Sequence, residues 1–355
     1  MVNLPDPKFD RLGITLEKEH RTLGEQLEEM EYAEEYGFDS IWVTESRLSR
    51  DAISILGRLS DRTDDLDLCT GVLPIWTRNV ALMAQTWSTL YELSGPRFRC
   101  GLGAWWDPLA SKVGVDRQRP NSLRATWEYS TALRRLLDLE NVTYDGEYVS
   151  LEDVELSVVR SQADPEPRDV PLYVGATGMQ MNTMVGELVG QGVLEGCVLN
   201  ANLPTNYIED CVERLERGVE REGGSIEDVD RPQYVYVSMD EDADVAIDKA
   251  RKVCTQYLGT TAYIPDAVSS IVSDDIVEEV QREVGEWPVT DEALERAGEL
   301  VPDEYVRAVT ASGTPEQCVQ RVAEYCEAGC TEPSLFVLSD NQLEVMETFS
   351  EFVTG

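Results

Sequence analysis

The sequence predicts an α/β fold, a parallel (β/α)8 TIM barrel with insertions after strand 4 and near strands 7–8, on three observations. Eight short apolar runs suit buried strands, most are followed by helical spacing, and glycine or small polar residues stand where the runs end. A chain of 355 residues, 42% of them hydrophobic, can bury one decorated barrel core. A single domain over residues 1–355 is therefore expected, with insertions at about 105–168 and 261–309.

The runs come in order. Arg11 to Glu17 (RLGITLE) is a strand, and Leu23 to Tyr36 is a helix spaced through Leu27, Met30 and Ala33 and stopped by Gly37. DSIWVTES is the second strand, Ala52 to Leu59 a helix, and LDLCTGVLP the third strand. The helix Val80 to Leu93 ends in LSGP before the fourth strand, RFRCGLGA. A helix around Ser122 to Leu137 and a β-hairpin around Asp145 and Gly146 then break the rhythm. It resumes in VPLYVGATG, GVLEGCVLN, PQYVYVSMD and PSLFVLS, with an acidic helical excursion before the last of these that includes Asp275 to Val284. That excursion either covers the barrel mouth or makes a subunit contact.

Composition excludes several classes. With 68 acidic against 30 basic residues the formal net charge is −38, which repels nucleic acid. Lysine occurs only at Lys8, Lys18, Lys112, Lys249 and Lys252, a balance that resembles proteins of halophilic archaea, where salt screens self-repulsion. Undiminished folding at low salt would count against such a source. The segment MVNLPDPKFD has neither the basic head nor the apolar core of a signal, and no apolar run reaches about 18 residues, so a cytoplasmic protein without a membrane partner is expected. The eight cysteines form no C-x-x-C pair, the nearest set being Cys318, Cys326 and Cys330, and buried free thiols are expected. The lone histidine, His20, removes Ser-His-Asp and Cys-His catalysis and His-rich metal sites, and no metal is expected.

In parallel barrels the chemistry sits at the C-terminal strand ends. These are Thr15 with Glu17, Thr44 to Arg50, Gly71 to Thr77, Gly103 to Asp107, Gly175 to Gln180 and Asn200 to Asn202, groups rich in Gly, Thr, Trp and Asn. Such a lining suits a flat polar heterocycle with a phosphate tail. Gly175, Ala176, Thr177, Gly178 and Met179 lie between a strand and a helix, where free N–H groups receive a phosphate or merely close a tight turn. Gly101 and Gly103 lack the third glycine of a dinucleotide fingerprint. Trp42 suits the core, and of Trp105 and Trp106 one is expected to face the mouth. Glu17, Glu45 and Asp107 are carboxylates near strand ends where burial could tune a proton transfer, or they are plain surface charges. Arg50 and Asp51 are expected to pair, and Arg78 binds a ligand anion or caps local structure.

These residues resemble the luciferase-like superfamily. GFDSIWVTES with SRDA is similar to its second strand and loop, and TGVLPIWTRNVALMAQTWSTLYELSGPRFRCGLG to its third strand, long helix and fourth strand. VPLYVGATGMQM and ASGTPEQCVQRVAEYCEAG complete the set. Within it, LPIWTRN and GATGMQM look most like F420-dependent methylene-tetrahydromethanopterin reductases. The resemblance implies a deazaflavin, F420, with its phosphate near Gly175 to Gly178 and its ring against a bulge at Gly71 and Val72, where the family often carries a non-prolyl cis peptide. It makes Thr44, Thr77 and Gly103 further cofactor-binding candidates, and Glu17, Thr15 and Glu45 the catalytic ones. The reductases' first-strand glutamate matches Thr15, with Glu17 two residues on, and their acidic-histidine pair matches Glu45 and Ser46. The implied reaction is hydride transfer between F420 and a small substrate, a methylene-tetrahydropterin of methanopterin or folate type, in a homodimer or homotetramer. An FMN-dependent monooxygenase of the same superfamily and a non-catalytic barrel serving as a partner subunit are the alternatives.

Overall fold

The computed structural model describes residues 7–16, 22–46, 48–105, 110–115, 121–161, 165–261 and 264–354. The strands are β1 (Gly13–Thr15), β2 (Ser40–Val43), β3 (Asp67–Thr70), β4 (Leu73–Pro74), β5 (Phe98–Gly103), β6 (Val142–Asp145), β7 (Ser150–Val154), β8 (Leu172–Ala176), β9 (Gly196–Leu199), β10 (Pro232–Met239), β11 (Ala311–Gly313) and β12 (Glu332–Val337). β6 and β7 pair as an antiparallel hairpin. The others form one sheet in the order β11-β10-β12-β1-β2-β3-β5-β8-β9, with β4 joined to β5 and β9 also paired to β10. The order returns on itself, giving the closed eight-strand parallel barrel that the sequence predicts. Its staves β1, β2, β3, β5, β8, β9, β10 and β12 are the eight apolar runs. The third run carries the bulge that the resemblance implies, with a cis peptide at Gly71–Val72, and after it Leu73–Pro74 pairs with β5 rather than continuing β3. The short β11, beside β10, was not anticipated.

The chain divides into two compact units, Met1–Asp39 with Leu199–Val212 and Arg231–Gly355, and Ser40–Val198 with Glu213–Asp230. In the second, Trp42 on β2 meets Tyr173 on β8 at 6.3 Å between ring centres, although β3 and β5 lie between their strands. Both side chains therefore point to the inside of the curved sheet. Trp42 is fully buried, as its apolar neighbours implied, and its indole donates to Ser40 Oγ at 2.8 Å. Below it the interior is closed by the Arg99–Asp67 ion pair and by Tyr173 Oη donating to Asp230 at 2.9 Å. Polar plugs of this kind keep buried groups paired and leave the other end of the strands for ligand.

Caps set the helices of this unit. Asp51 accepts from Ser54 N at 2.7 Å to start Ala52–Leu59, and Asn79 accepts from Ala81 N at 2.8 Å to start Val80–Ser94. Gly95, at φ +67°, ends the latter in a conformation that suits glycine. The helix Ser122–Leu137 carries Glu128, whose fully buried carboxylate accepts from the N–H groups of Glu147, Tyr148 and Val149 in the hairpin turn and from Arg124. This carboxylate fixes the hairpin to the helix.

In the first unit, Thr15 is fully buried and its hydroxyl lies 2.8 Å from that of Ser334 on β12. The excursion expected over 261–309 contains the helices Asp274–Val284, Asp291–Gly298 and Asp303–Val309. It packs on the helix Ala243–Thr260, where an added Cβ on Gly259 would lie 2.6 Å from Val284 and Arg251 donates to Val301 O at 2.6 Å. The eight cysteines are free thiols, all buried but the half-buried Cys326. No described helix is long and apolar enough to cross a membrane.

Candidate active site

Four of the strand ends named from the sequence belong to one unit, those of β2, β3, β5 and β8. At the first, Thr44 continues the alternation of Ser40 and Trp42, is 9% exposed, and its hydroxyl is buried without a hydrogen-bond partner. Beside it Glu45 is held in place: Arg78 donates to its two oxygens at 2.6 and 3.0 Å, and Ala52 N donates at 3.2 Å. The same guanidinium donates to Asp51 at 2.7 Å, from 27 residues away. Hydrogen bonds that Arg78 donates to Glu45 raise its pKa despite its partial burial. Desolvation would raise the Asp51 carboxyl, but hydrogen bonds from Ser54 and the Arg78 charge hold it below its ordinary value. Arg78 thus ties the loop after β2 to the loop after β4, rather than presenting a free cation.

Removing that cation tests its structural weight. Arg78→Met leaves two carboxylates facing each other with little solvent around Glu45, and a loss of about 2 kcal/mol is expected, between the values for exposed and buried pairs. Urea unfolding reads it directly. An unchanged midpoint would show that the network contributes nothing.

The bulge follows. Gly71 N donates to Val43 O at 3.0 Å, and the Val72 side chain lies over the glycines of two neighbouring strands. A Cβ on Gly103 would sit 2.3 Å from Val72 Cγ2, and one on Gly175 3.0 Å from Val72 Cγ1. On Gly101 it would sit 2.0 Å from Thr70 O and 3.2 Å from Val72 Cγ1. These glycines make room for Val72 and for close strand approach, so the platform at the bulge is built of backbone and one half-buried valine. Thr77 closes a local turn, its hydroxyl donating to Pro74 O at 3.0 Å.

After β8, Ala176 is buried while Gly178 is exposed, with open space where a Cβ would be. Gly178 is the N-cap of Met179–Gly190 and supplies no side-chain cap, so the first-turn N–H groups receive no acceptor from the cap residue's side chain. Asn182 donates back to Thr177 O at 3.4 Å and Gly178 O at 3.3 Å, fixing the turn that carries Thr177 and Met179. Such a terminus is suited to an anion. Glu17, Trp106 and Asp107 lie outside the described residues, as does His20. Thr15 is in the first unit, paired with Ser334 as above.

Two features escaped the sequence reading. Trp105 adopts φ +70° at the end of β5, and its indole nitrogen is buried without a partner. A cavity of about 320 Å³ lies between the loop after β4, the helix Ser122–Leu137 and the hairpin, walled by Trp76, Arg78, Tyr129 and Tyr148. Trp76 is pinned there by donating to Ala104 O at 2.8 Å, and Tyr129 Oη donates to Arg78 O at 2.9 Å. The contributing residues come from three separate segments of the chain, around Trp76, Tyr129 and Tyr148, so no local motif could have signalled the cavity.

Comparison with known proteins bears on this geometry. The family model for luciferase-like monooxygenases matches residues 9–332. The chain is 30% identical over 300 residues to a 5,10-methylenetetrahydromethanopterin reductase of Methanolobus tindarius, covering 84% of this chain and 86% of that protein. It is 27% identical over 330 residues to an F420-dependent glucose-6-phosphate dehydrogenase of Microbacterium testaceum, covering 90% and 89%. Among solved structures, the coenzyme F420-dependent tetrahydromethanopterin reductase of Methanopyrus kandleri has the same fold, with a TM-score of 0.80 at 22% identity and 98% of both chains covered.

Proposed function

Because the chain belongs to the luciferase-like monooxygenase family, we propose that it is an F420-dependent oxidoreductase moving a hydride between the deazaflavin and a small organic substrate. A methylene-tetrahydropterin, of methanopterin or folate type, is the substrate class favoured by the reductase relative. The observation that carries this reading is the orphaned Thr44 hydroxyl, a buried donor at the end of β2, the strand whose Val43 O accepts from Gly71 N at the bulge. The uncapped helix start at Gly178 offers a place for the cofactor's phosphate, so the residues present fit the group.

When bound, F420 supplies the two-electron hydride chemistry. The chain's part is to bind and to orient. Val72, braced by Gly101, Gly103 and Gly175, backs a planar ring, and the first-turn N–H groups after Gly178 neutralise an anionic tail. Glu45, bound to Arg78 and to Ala52 N–H, shapes the β2 loop. Thr15, a hydroxyl paired to Ser334, cannot act as a carboxylic acid. Glu17 and Asp107 remain proton-transfer candidates named from the sequence.

Turnover tests this. In concentrated salt, loss of F420 absorbance upon mixing oxidised F420 with the methyl-tetrahydropterin, or its recovery from reduced F420 with the methylene form, is the expected result. Reaction with glucose 6-phosphate instead would move the substrate class to that of the dehydrogenase relative. Failure with every substrate, together with no cofactor binding, would favour a non-catalytic partner subunit.

A further inference from the structure

We propose that the indole N–H of Trp105 and the hydroxyl of Thr44 are donors to oxygen acceptors on the ligand bound at this rim. The inference rests on the functional reading above and extends it to a residue that reading does not use. Trp105 follows β5 at φ +70°, a left-handed conformation that a bulky side chain rarely adopts. Its neighbourhood holds it there: Ile75 N donates to Gly103 O at 3.0 Å and Trp76 Nε1 to Ala104 O at 2.8 Å, pinning the two residues before it. The ring is half-exposed, yet its nitrogen is buried and has no hydrogen-bond partner. Buried indole N–H groups ordinarily find an acceptor, and an unpaired one destabilises the fold that contains it.

The Thr44 hydroxyl, on the end of β2 in the same unit, is buried and unpaired as well. Two unsatisfied donors at C-terminal strand ends, one fixed in an unfavourable backbone conformation, mark ligand oxygens as their partners. Indole N–H donates only, so its partner is an acceptor, for which a carbonyl, hydroxyl or phosphate oxygen serves and a ring N–H does not. A ring carbonyl of the cofactor and an oxygen of the substrate both satisfy this chemistry.

The experiment compares the full-length chain with Trp105→Phe, Thr44→Val and the double variant, measuring the dissociation constant for F420 by fluorescence, the KM of whichever substrate the wild type turns over, and thermal stability. Trp105→Phe keeps the ring and deletes an unpaired donor, so its melting temperature should hold or rise. Binding should weaken by roughly three- to tenfold per donor. A raised F420 constant assigns the acceptor to the cofactor, and a raised KM with unchanged F420 binding assigns it to the substrate. Unchanged constants in both variants, or a fall in melting temperature without a binding effect, would overturn the inference and leave F420 dependence intact. A wild-type chain that binds neither F420 nor FMN would overturn both.

Discussion

Gly101→Ala is expected to destabilise the protein by roughly 3 kcal/mol or more and to abolish cofactor binding, because its new Cβ would stand 2.0 Å from a backbone oxygen, Thr70 O. That oxygen belongs to the neighbouring stave, and it cannot swing aside as a side-chain tip can. The two strands are also clasped by Thr70 Oγ1, which accepts from Gly101 N at 3.0 Å and donates to Gly101 O at 3.1 Å. Separation of β3 from β5 would break both bonds in a buried site. Gly103→Ala makes the contrast, since its Cβ would meet Val72 Cγ2 at 2.3 Å. Val72→Ala should rescue Gly103→Ala and leave Gly101→Ala unrescued, as a double-mutant cycle in chemical unfolding will show. Equal rescue of both would mean that Val72, and not strand approach, sets the need for glycine.

The second large effect is expected at Glu128. Its carboxylate satisfies three backbone N–H groups of the hairpin turn at 2.8 to 3.1 Å and Arg124 at 2.6 Å, while its side chain is fully buried. Glu128→Ala strands those donors and should cost on the order of 3 kcal/mol, with fraying of Val142–Val154 visible as faster amide exchange. Desolvation would raise this carboxyl, yet hydrogen bonds from Tyr148 N–H, Arg124, Glu147 N–H and Val149 N–H outweigh it and hold the pKa below its ordinary 4.5. A lowered folded pKa means the folded state resists protonation more than the unfolded one. The stabilisation is therefore complete above about 4.5 and is lost as pH falls through the lower folded value. Glu128→Ala should accordingly flatten the acid limb of the stability curve. An acid limb as steep as that of the wild type would place the titration elsewhere.

The staves could be read from the chain because each is a short apolar run closed by glycine or a small polar residue, and the helix Ala52–Leu59 matches its expected bounds since Asp51 caps it locally. The Asp145–Gly146 hairpin was legible for the same reason, a turn signal between alternating segments. What escaped was tertiary. Gly101, Gly103 and Gly175 carry visible signals one by one, but their shared neighbour, Val72, is defined only once three strands lie side by side. Arg78 meets Glu45 across 33 residues and Asp51 across 27, and nothing local signals either pairing. Glu128 sits on a helix in a chain with 68 acidic residues, where a carboxylate is ordinarily solvated, and only the folded-back hairpin turn buries it. Trp105 was noticed for its ring, whereas its consequence lies in an indole nitrogen whose burial no pattern encodes.

Cofactor choice is decided most directly by titrating the purified chain, in concentrated salt, with F420 and with FMN while following fluorescence and dissolved oxygen. Saturable binding of F420 at lower concentration than FMN, without oxygen uptake, is the expected outcome. Tighter FMN binding accompanied by oxygen consumption on reduction would contradict hydride transfer through a deazaflavin and make this barrel a monooxygenase.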